Sequence, residues 1–199
     1  MTSWLHQQRL DAAHDAVRAS GASSVLDLGC GDGDLLVRLV SEPQIERIVG
    51  IDLCQASLQR LRARLDALED DGAAQVELVH GSMTESGADL AGFDCAILIE
   101  TIEHIDPQRL SVLERAVFGA MRPATIVITT PNAEFNPLLG VPSHRFRHPD
   151  HRFEWDRVRF QRWAEGVAAR NGYIVACRDI AGYHPALGGA SQMAVFEVR

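Results

Sequence analysis

Two carboxylates and an imidazole lie close together in the middle of the chain, in the string Glu100-Thr101-Ile102-Glu103-His104. The string directly follows the apolar run 95–99, where a strand should end and a helix begin. On one helical turn, positions 100, 103 and 104 share a face. Carboxylate and imidazole ligands that face one point suit a divalent ion. The pattern therefore predicts a metal site, and an exposed helix start with a capping role is the alternative.

A second cluster, Arg-His-Pro-Asp-His-Arg-Phe-Glu-Trp, occupies positions 147–155 and offers two more histidines. A histidine from this string would complete the ligand shell of an ion held by the first string. Taken alone, His151 is more often a structural or surface histidine than a metal ligand. For Phe153 and Trp155 the favoured role is core packing of the helix that follows.

A glycine-rich turn, Asp-Leu-Gly-Cys-Gly-Asp-Gly at 27–33, follows the first apolar run. Glycines there let the backbone turn tightly and approach a ligand closely. Asp52 ends the second predicted strand, where a carboxylate can accept both hydroxyls of a ribose. The acidic residues of the turn would repel a pyrophosphate but suit a cofactor with an ammonium group. A purely structural turn and an NAD-type site are the weaker alternatives.

The elements that position these strings alternate between apolar runs and helix-like stretches. This rhythm predicts an α/β, Rossmann-like sandwich with a mainly parallel seven-stranded sheet and a C-terminal antiparallel hairpin, joined by a long loop at 182–189. We expect strands at 23–28, 47–53, 76–79, 93–99, 124–129, 173–179 and 193–198, and helices at 5–20, 32–40, 55–68, 107–121 and 155–171.

The segment 131–154 breaks this rhythm, because it contains four prolines up to residue 149 and little periodicity. Long irregular segments inside a compact domain are usually functional or disordered. Between residues 143 and 170 there are seven arginines and four acidic residues, whereas the whole chain has a net charge of −8 and no lysine. The negative net charge argues against an extended nucleic-acid binding surface. The local arginines are compatible with a short contact to a nucleic acid.

The 199 residues suffice for one domain, predicted to span 1–199 with an N-terminal helix within 1–20. No apolar run approaches the roughly 20 residues that a membrane span needs, and no signal peptide begins the chain. We therefore expect a cytoplasmic protein with no membrane partner. The four cysteines show no close pairing and are expected to be buried, reduced thiols.

Together these strings resemble the class I S-adenosylmethionine-dependent methyltransferases. Within that class, Glu100-x-x-Glu103-His104, Thr-Pro-Asn-Ala-Glu-Phe-Asn at 130–136, the string at 147–155 and Leu-His-Gln-Gln-Arg at 5–9 are similar to the small-RNA 3′-terminal 2′-O-methyltransferases, the Hen-type enzymes. The resemblance covers almost the whole chain. The ligase-like half of bacterial relatives is not in this chain, so we expect an excised domain or a naturally short protein.

The resemblance implies a role for each matching residue. S-adenosylmethionine would contact Asp27, Gly29, Gly31, Gly33, Asp52, Leu53, Ser82 and Met83. Mg²⁺ or Mn²⁺ would bind Glu100, Glu103, His104 and His151, of which Glu103, His104 and His151 would also be catalytic. The RNA would contact Gln8, Arg9, Asn132, Arg147 and His148, although the helix that carries Gln8 and Arg9 could instead only pack on the sheet.

The implied reaction is methyl transfer to the 2′-hydroxyl of a 3′-terminal ribose, in bacterial RNA repair with a polynucleotide kinase-phosphatase and a ligase-like half. A divalent ion on vicinal 2′ and 3′ hydroxyls would lower the 2′ pKa, select an RNA end and reject DNA. One alternative is a catechol-like small-molecule O-methyltransferase, which favours an aromatic-lined pocket. The other is a non-catalytic module that binds RNA ends.

Overall fold

The strands form a single sheet in the order β3-β2-β1-β4-β5-β7-β6, in which only β7 runs antiparallel to its neighbours. The computed structural model describes residues 4–68, 74–85 and 87–199. The strands are β1 (Ser24–Leu28), β2 (Arg47–Asp52), β3 (Gln75–His80), β4 (Cys95–Ile99), β5 (Thr125–Pro131), β6 (Tyr173–Ile180) and β7 (Ser191–Val198).

In the described part of the chain, five α-helices cover the two faces of this sheet. They are α1 (Trp4–Ser20), α2 (Leu36–Val40), α3 (Gln55–Asp66), α4 (Leu110–Glu114) and α5 (Arg157–Asn171). Side chains of α1, α2 and α3 form one apolar cluster with the sheet, and those of α4 and α5 form the other. The central strands β1 and β4 are buried on both faces, which explains their continuous apolar sequences.

The strand order reverses between β1 and β4, which pair in parallel. In open α/β sheets, ligands bind at the carboxyl ends of the strands beside such a reversal. The glycine-rich turn follows β1, Asp52 ends β2 and the string 100–104 follows β4. The fold therefore brings the predicted cofactor turn and the predicted metal string to one edge of the sheet.

The predicted fold class and all seven strands are confirmed, and so is the C-terminal hairpin, because β6 and β7 pair in antiparallel register. Several helix predictions were wrong in detail. The helix expected at 32–40 begins at Leu36, and the one expected at 107–121 divides into a 3₁₀ turn at Pro107–Arg109, α4 and a π-helix at Arg115–Met121. The segment expected to be irregular contains a 3₁₀ helix at Ala133–Leu139.

The helix expected from residue 155 begins two residues later, because Trp155 forms an isolated parallel bridge with Asn132. The side chain of Asp156 then caps α5 by accepting a hydrogen bond from the backbone N–H of Arg159 at 2.7 Å. Phe153 and Trp155 are buried and their rings stack with centroids 4.2 Å apart. Their predicted role in core packing is confirmed.

The four cysteines are free, as expected, but not all are buried. Cys30 and Cys95 lie in the core and Cys177 is half-buried, whereas Cys54 is exposed where it precedes α3. Position 54 follows the strand end instead of belonging to the strand, so its side chain leaves the core. Among the described residues, no helix combines the length and the apolar character needed to cross a membrane.

Candidate functional site at the carboxyl ends of β1, β4 and β5

The chain leaves β4 through a left-handed residue, because Glu100 has φ +52°. A 3₁₀ turn then covers Ile102–His104, with backbone hydrogen bonds from His104 to Thr101 and from Ile105 to Ile102. The prediction that 100, 103 and 104 share one turn of a regular helix was therefore wrong. A non-glycine residue with this φ is strained, and such strain persists where surrounding contacts fix it.

The contacts that fix Glu100 come from three distant parts of the chain. Its backbone N–H donates to the Thr129 hydroxyl and carbonyl oxygens, and the Thr129 hydroxyl donates to Glu100 Oε1 at 3.1 Å. Arg9 Nη1 donates to Glu100 Oε2 at 2.7 Å, and the Ser191 hydroxyl lies 3.4 Å from the same oxygen. The carboxylate is thus held at the strand end by α1, β5 and β7.

Glu103 is a fully buried carboxyl group with an incomplete set of partners. Its Oε2 accepts a hydrogen bond from the Thr130 hydroxyl at 3.0 Å, but among the described residues its Oε1 has no partner. Burial raises the pKa of Glu103 well above its usual value, and the negative charge of Glu100 raises it further. A cation bound by these two carboxylates would offset both the cost of burying the charge of Glu103 and its repulsion by Glu100.

Three imidazoles form a cluster of their own, and one of them, His104, follows Glu103 directly in the chain. Ligand atoms of His104, His148 and His151 all lie within 4.8 Å of one another, and this is the cluster suited to a metal ion within the described part of the chain. The rings of His104 and His151 are 4.8 Å apart, centroid to centroid. Burial lowers the pKa of His104, as do the neighbouring His151 and His148, so its ring is neutral and can act as a ligand.

Glu154 fixes the orientation of His151. His151 Nδ1 lies 2.6 Å from Glu154 Oε1, and both side chains are almost completely buried. The pKa of Glu154 is lowered: burial opposes this, but hydrogen bonds from His151, Asn136 and the Arg147 backbone N–H outweigh it. An ionised Glu154 keeps the proton on Nδ1 and leaves the Nε2 lone pair for a metal ion.

The glycine-rich turn has the backbone conformation that the sequence indicated. Gly29, Gly31 and Gly33 all have positive φ, at +84°, +53° and +75°. A Cβ atom at Gly29 would lie 2.6 Å from Thr101 Cγ2, and one at Gly33 would collide with Leu61. A Cβ at Gly31 would meet nothing within 4 Å, so the middle of the turn faces open space.

That open space is a pocket of about 180 Å³ that also touches Glu100 and Arg9. Asp27 lies at its base, and burial together with the charge of Asp52 raises the pKa of Asp27 to about 7. Asp52 accepts hydrogen bonds from the backbone N–H groups of Gly31 and Cys54 at 2.8 and 2.7 Å. Asp52 therefore joins the turn after β1 to the end of β2.

The other predicted cofactor residues lie near the same edge. Leu53 follows Asp52 at the end of β2 and is 71% exposed. Met83 is half-buried, and its Cε would lie 3.3 Å from a Cβ at Gly29. The Ser82 hydroxyl is 2.7 Å from that of Thr84.

The arrangement fits both groups that the resemblance implies. For an ion, the structure brings His104 and His151 together with His148, and the Glu100 carboxylate and the unpartnered Glu103 oxygen offer oxygen ligands. Among the described residues, neither carboxylate belongs to the cluster of three imidazoles. The open turn at Gly31, the buried Asp27 and the strand-end Asp52 provide a cradle for a nucleoside with a cationic tail. Thr101, which adjoins Gly29, places the two sites side by side.

Most residues predicted to contact RNA are engaged inside the protein. Asn132 is 0% exposed, and its amide donates to the carbonyl oxygens of Leu187 and Gly189. Arg147 is half-buried and donates to the carbonyl oxygens of Asn132 and Ala190 and to the Asn136 side chain. In this structure both side chains brace the loop, Asn132 from a fully buried position and Arg147 from a half-buried one.

The remaining three predicted RNA contacts differ from one another. Gln8 Oε1 accepts a hydrogen bond from the Gly182 N–H at 2.6 Å, so α1 is fastened to the loop before β7. Arg9 is occupied by Glu100, Ser191 and His6. His148 is exposed and belongs to the imidazole cluster.

The sequence interpretation missed two supports of the site. Glu154 was read only as part of a motif, although a carboxylate three residues after His151 is placed to accept from its ring. Arg9 was assigned to RNA, but its Glu100 partner is 91 residues away, and no local pattern indicates such a contact.

Comparison with known proteins identifies methyltransferases that are similar to this chain. A methyltransferase-domain family model matches residues 25–124. The small RNA 2′-O-methyltransferase of Gallus gallus is 41% identical over 178 residues, which are 86% of this chain and 47% of that protein. The methyltransferase domain of a bacterial Hen1 protein is 35% identical, with 98% of this chain and 100% of that chain covered and a TM-score of 0.86.

The structure of a Pnkp1/Rnl/Hen1 RNA repair complex also contains a similar chain, at 20% identity and a TM-score of 0.70, with 97% of this chain and 41% of that chain covered. This last likeness concerns the fold alone. The chain spans about half the length of the curated relative that it matches. The extent and identity of these matches show that the chain belongs to the Hen-type small RNA methyltransferase family of class I S-adenosylmethionine-dependent methyltransferases.

Proposed function

We propose that this chain transfers the methyl group of S-adenosylmethionine to the 2′-hydroxyl of the 3′-terminal nucleotide of an RNA, with Mg²⁺ or Mn²⁺ at the acceptor. The activity of the Gallus gallus relative, which is 41% identical, supports RNA as the substrate. The match to the whole of a bacterial Hen1 methyltransferase domain supports methyl transfer by this portion of the protein.

The observation that carries the proposal is the environment of Glu103. The Glu103 carboxyl group is buried, one of its oxygens has no partner among the described residues, and the negative charge of Glu100 acts on it. Without a cation, ionising such a group costs free energy. His104, the next residue in the chain, belongs to the cluster of three imidazoles. We assign the ion to Glu100, Glu103, His104 and His151. His148 is the third imidazole of the cluster and is proposed to approach the terminal ribose or phosphate.

Different side chains have different roles in the proposed reaction. When bound, the ion would lower the pKa of the ribose 2′-hydroxyl and orient its oxygen. His104 has a lowered pKa and is neutral, as a metal ligand must be, while Glu154 holds the ring of His151 in one orientation. The proton of the 2′-hydroxyl would pass to a hydroxide ion nearby. The open glycine turn and Asp52 bind and orient the cofactor, which leaves the protein mainly a positioning task.

Requiring two vicinal hydroxyls explains why a 3′ end would be chosen over an internal ribose, and RNA over DNA. A grip on one end needs few phosphate contacts, which agrees with a net charge of −8. We further propose a cytoplasmic role in bacterial RNA repair beside a kinase-phosphatase and a ligase-like half. A 3′-phosphorylated RNA should then become a substrate only after such a phosphatase has acted on it.

The test is methyl transfer from labelled S-adenosylmethionine to a short RNA in Mn²⁺, Mg²⁺ or EDTA, with a matched RNA that ends in a 2′-deoxy ribose. We expect labelling only of the intact RNA and only with metal. Glu103→Gln should lose more than about a hundredfold in rate while cofactor binding is retained. Labelling of a catechol but not of RNA would favour the small-molecule alternative, and RNA binding without transfer would favour the end-binding module.

A further inference from the structure

A groove beside the N-terminus of α5 is lined by cationic and aromatic side chains outside the site described above. It encloses about 460 Å³ and is lined by Trp155, Asp156, Val158, Arg159, Arg162 and Trp163. Arg159 lies over the Trp155 ring, with its guanidinium carbon 5.3 Å from the ring centroid. The rings of Trp155 and Trp163 are 5.6 Å apart, centroid to centroid.

The positive charge of this groove is not neutralised within the described part of the chain. Arg159 and Arg162 are exposed and have no carboxylate partner at ion-pair distance there. The carboxylate of Asp156 accepts a hydrogen bond from a backbone N–H of α5, and Glu165 accepts one from Gln161. The groove therefore presents two free guanidinium groups in an otherwise acidic protein.

A short stretch of chain joins the groove to the imidazole cluster. At most about 14 Å separates the Cα atoms of His151 and Trp155, because four extended residues span ~3.6 Å each. Both ends of this segment are fastened, since the Arg152 N–H donates to the Glu103 carbonyl at 2.7 Å and the Trp155 carbonyl accepts from Ala133 and Gln192. A strand whose last ribose reaches the imidazoles would pass the groove within a few nucleotides.

We propose that this groove binds the single-stranded RNA backbone a few nucleotides upstream of the 3′ end, beyond the reach of a three-nucleotide RNA, with Arg159 and Arg162 on phosphates. Cationic grooves with aromatic walls are the usual means of holding single strands without sequence preference. Arginine suits phosphate through its planar, bidentate donors. The proposal rests on the proposed function, and it places RNA contacts on exposed side chains, whereas Asn132 is buried and Arg147 is half-buried.

The test compares the wild-type protein with Arg159→Gln/Arg162→Gln, using fluorescence anisotropy with RNAs of about three and about ten nucleotides. For the longer RNA, we expect about tenfold to thirtyfold weaker binding and a salt dependence shallower by about 1.4, since each lost phosphate contact removes ~0.7 from the slope. The shorter RNA should bind and be methylated as in the wild type.

The matched control is Arg18→Gln/Arg62→Gln, which removes the same charge from α1 and α3 on the opposite face of the sheet. This control should leave the difference in binding affinity between the longer and the shorter RNA unchanged. Arg159→Lys/Arg162→Lys should retain the salt dependence, because both charges remain. Circular dichroism and cofactor binding establish that each variant is folded.

The outcomes separate this proposal from the proposed function. If the wild type methylates RNA but the glutamine pair keeps the full affinity and salt dependence for the longer RNA, the groove does not bind the strand. An equal loss in the control pair would also overturn the proposal, because general charge would then explain the effect. If the wild type methylates no RNA of either length, the proposed function itself fails.

Discussion

Replacing Asp27 with asparagine should increasingly stabilise the folded protein as the pH rises from about 4 to 7, and should leave its stability below pH ~4 unchanged. Asp27 lies in the core at the end of β1, 4% exposed, and its pKa rises from 3.8 to about 7 because of burial and, second, the charge of Asp52. The folded protein therefore holds this proton more tightly than the unfolded chain. Its contribution is complete below pH ~4 and is lost as the pH rises through about 7.

The size of the effect follows from the shift. A difference of about three pKa units corresponds to about 4 kcal/mol in the free energy of unfolding, at 1.36 kcal/mol per unit. Asparagine has the shape of the neutral carboxyl group but cannot ionise. The variant should match the wild type near pH ~4 and exceed it by up to that amount near pH ~8, as an upper value.

The assay is urea unfolding, without cofactor, across this pH range. Asp34→Asn is the control with the opposite sign, because hydrogen bonds from Arg64 and His6 outweigh burial and lower the pKa of Asp34. That variant should lose stability above pH ~4, where the wild-type carboxylate is ionised. Parallel curves for the wild type and Asp27→Asn at every pH would refute the reasoning about burial.

Three more substitutions test separate parts of the site. Glu154→Gln should weaken Mn²⁺ binding about 10–100-fold, measured by calorimetry without RNA, because His151 loses the partner that fixes its ring; unchanged affinity would exclude that role. Gly33→Ala should destabilise the fold by about 1–3 kcal/mol in thermal unfolding, because the added methyl collides with Leu61 at a positive φ; a neutral effect would contradict the packing. Asp52→Ala should raise the Kd for S-adenosylmethionine by about tenfold or more, as lost hydrogen bonds to a charged group cost ~1.5–3 kcal/mol each, and equal affinity would remove Asp52 from the cofactor site.

The sheet could be predicted from the sequence because its signals are local. The buried strands are continuous apolar runs, and the glycine turn after β1 needs positive φ at each of its three glycines. Helix starts were less predictable, because a distant contact decides them. Trp155 looks like the first residue of a helix, but a bridge to Asn132 holds it in an extended conformation.

The sequence predicted which residue types form the site, but it did not predict the backbone conformation that positions them. The strings around His104 and His151 indicated ligands, and the fold brings both histidines together. The left-handed backbone at Glu100 depends on Arg9, Thr129 and Ser191, each far away in the chain, so no helical periodicity could reveal it. Burial of Asn132 and Arg147 was equally hidden, because polar residues in a proline-rich loop are ordinarily exposed.

The position of the transferred methyl group tests the central claim most directly. Periodate cleaves the vicinal diol of an unmodified 3′-terminal ribose, and a methyl group on the 2′ oxygen prevents cleavage. After incubation with S-adenosylmethionine and Mn²⁺, we predict RNA that resists periodate and carries one methyl group on its last nucleotide by mass spectrometry. The same RNA incubated in EDTA should remain fully sensitive. A methyl group on a base or an internal ribose, or equal protection in EDTA, would contradict the account.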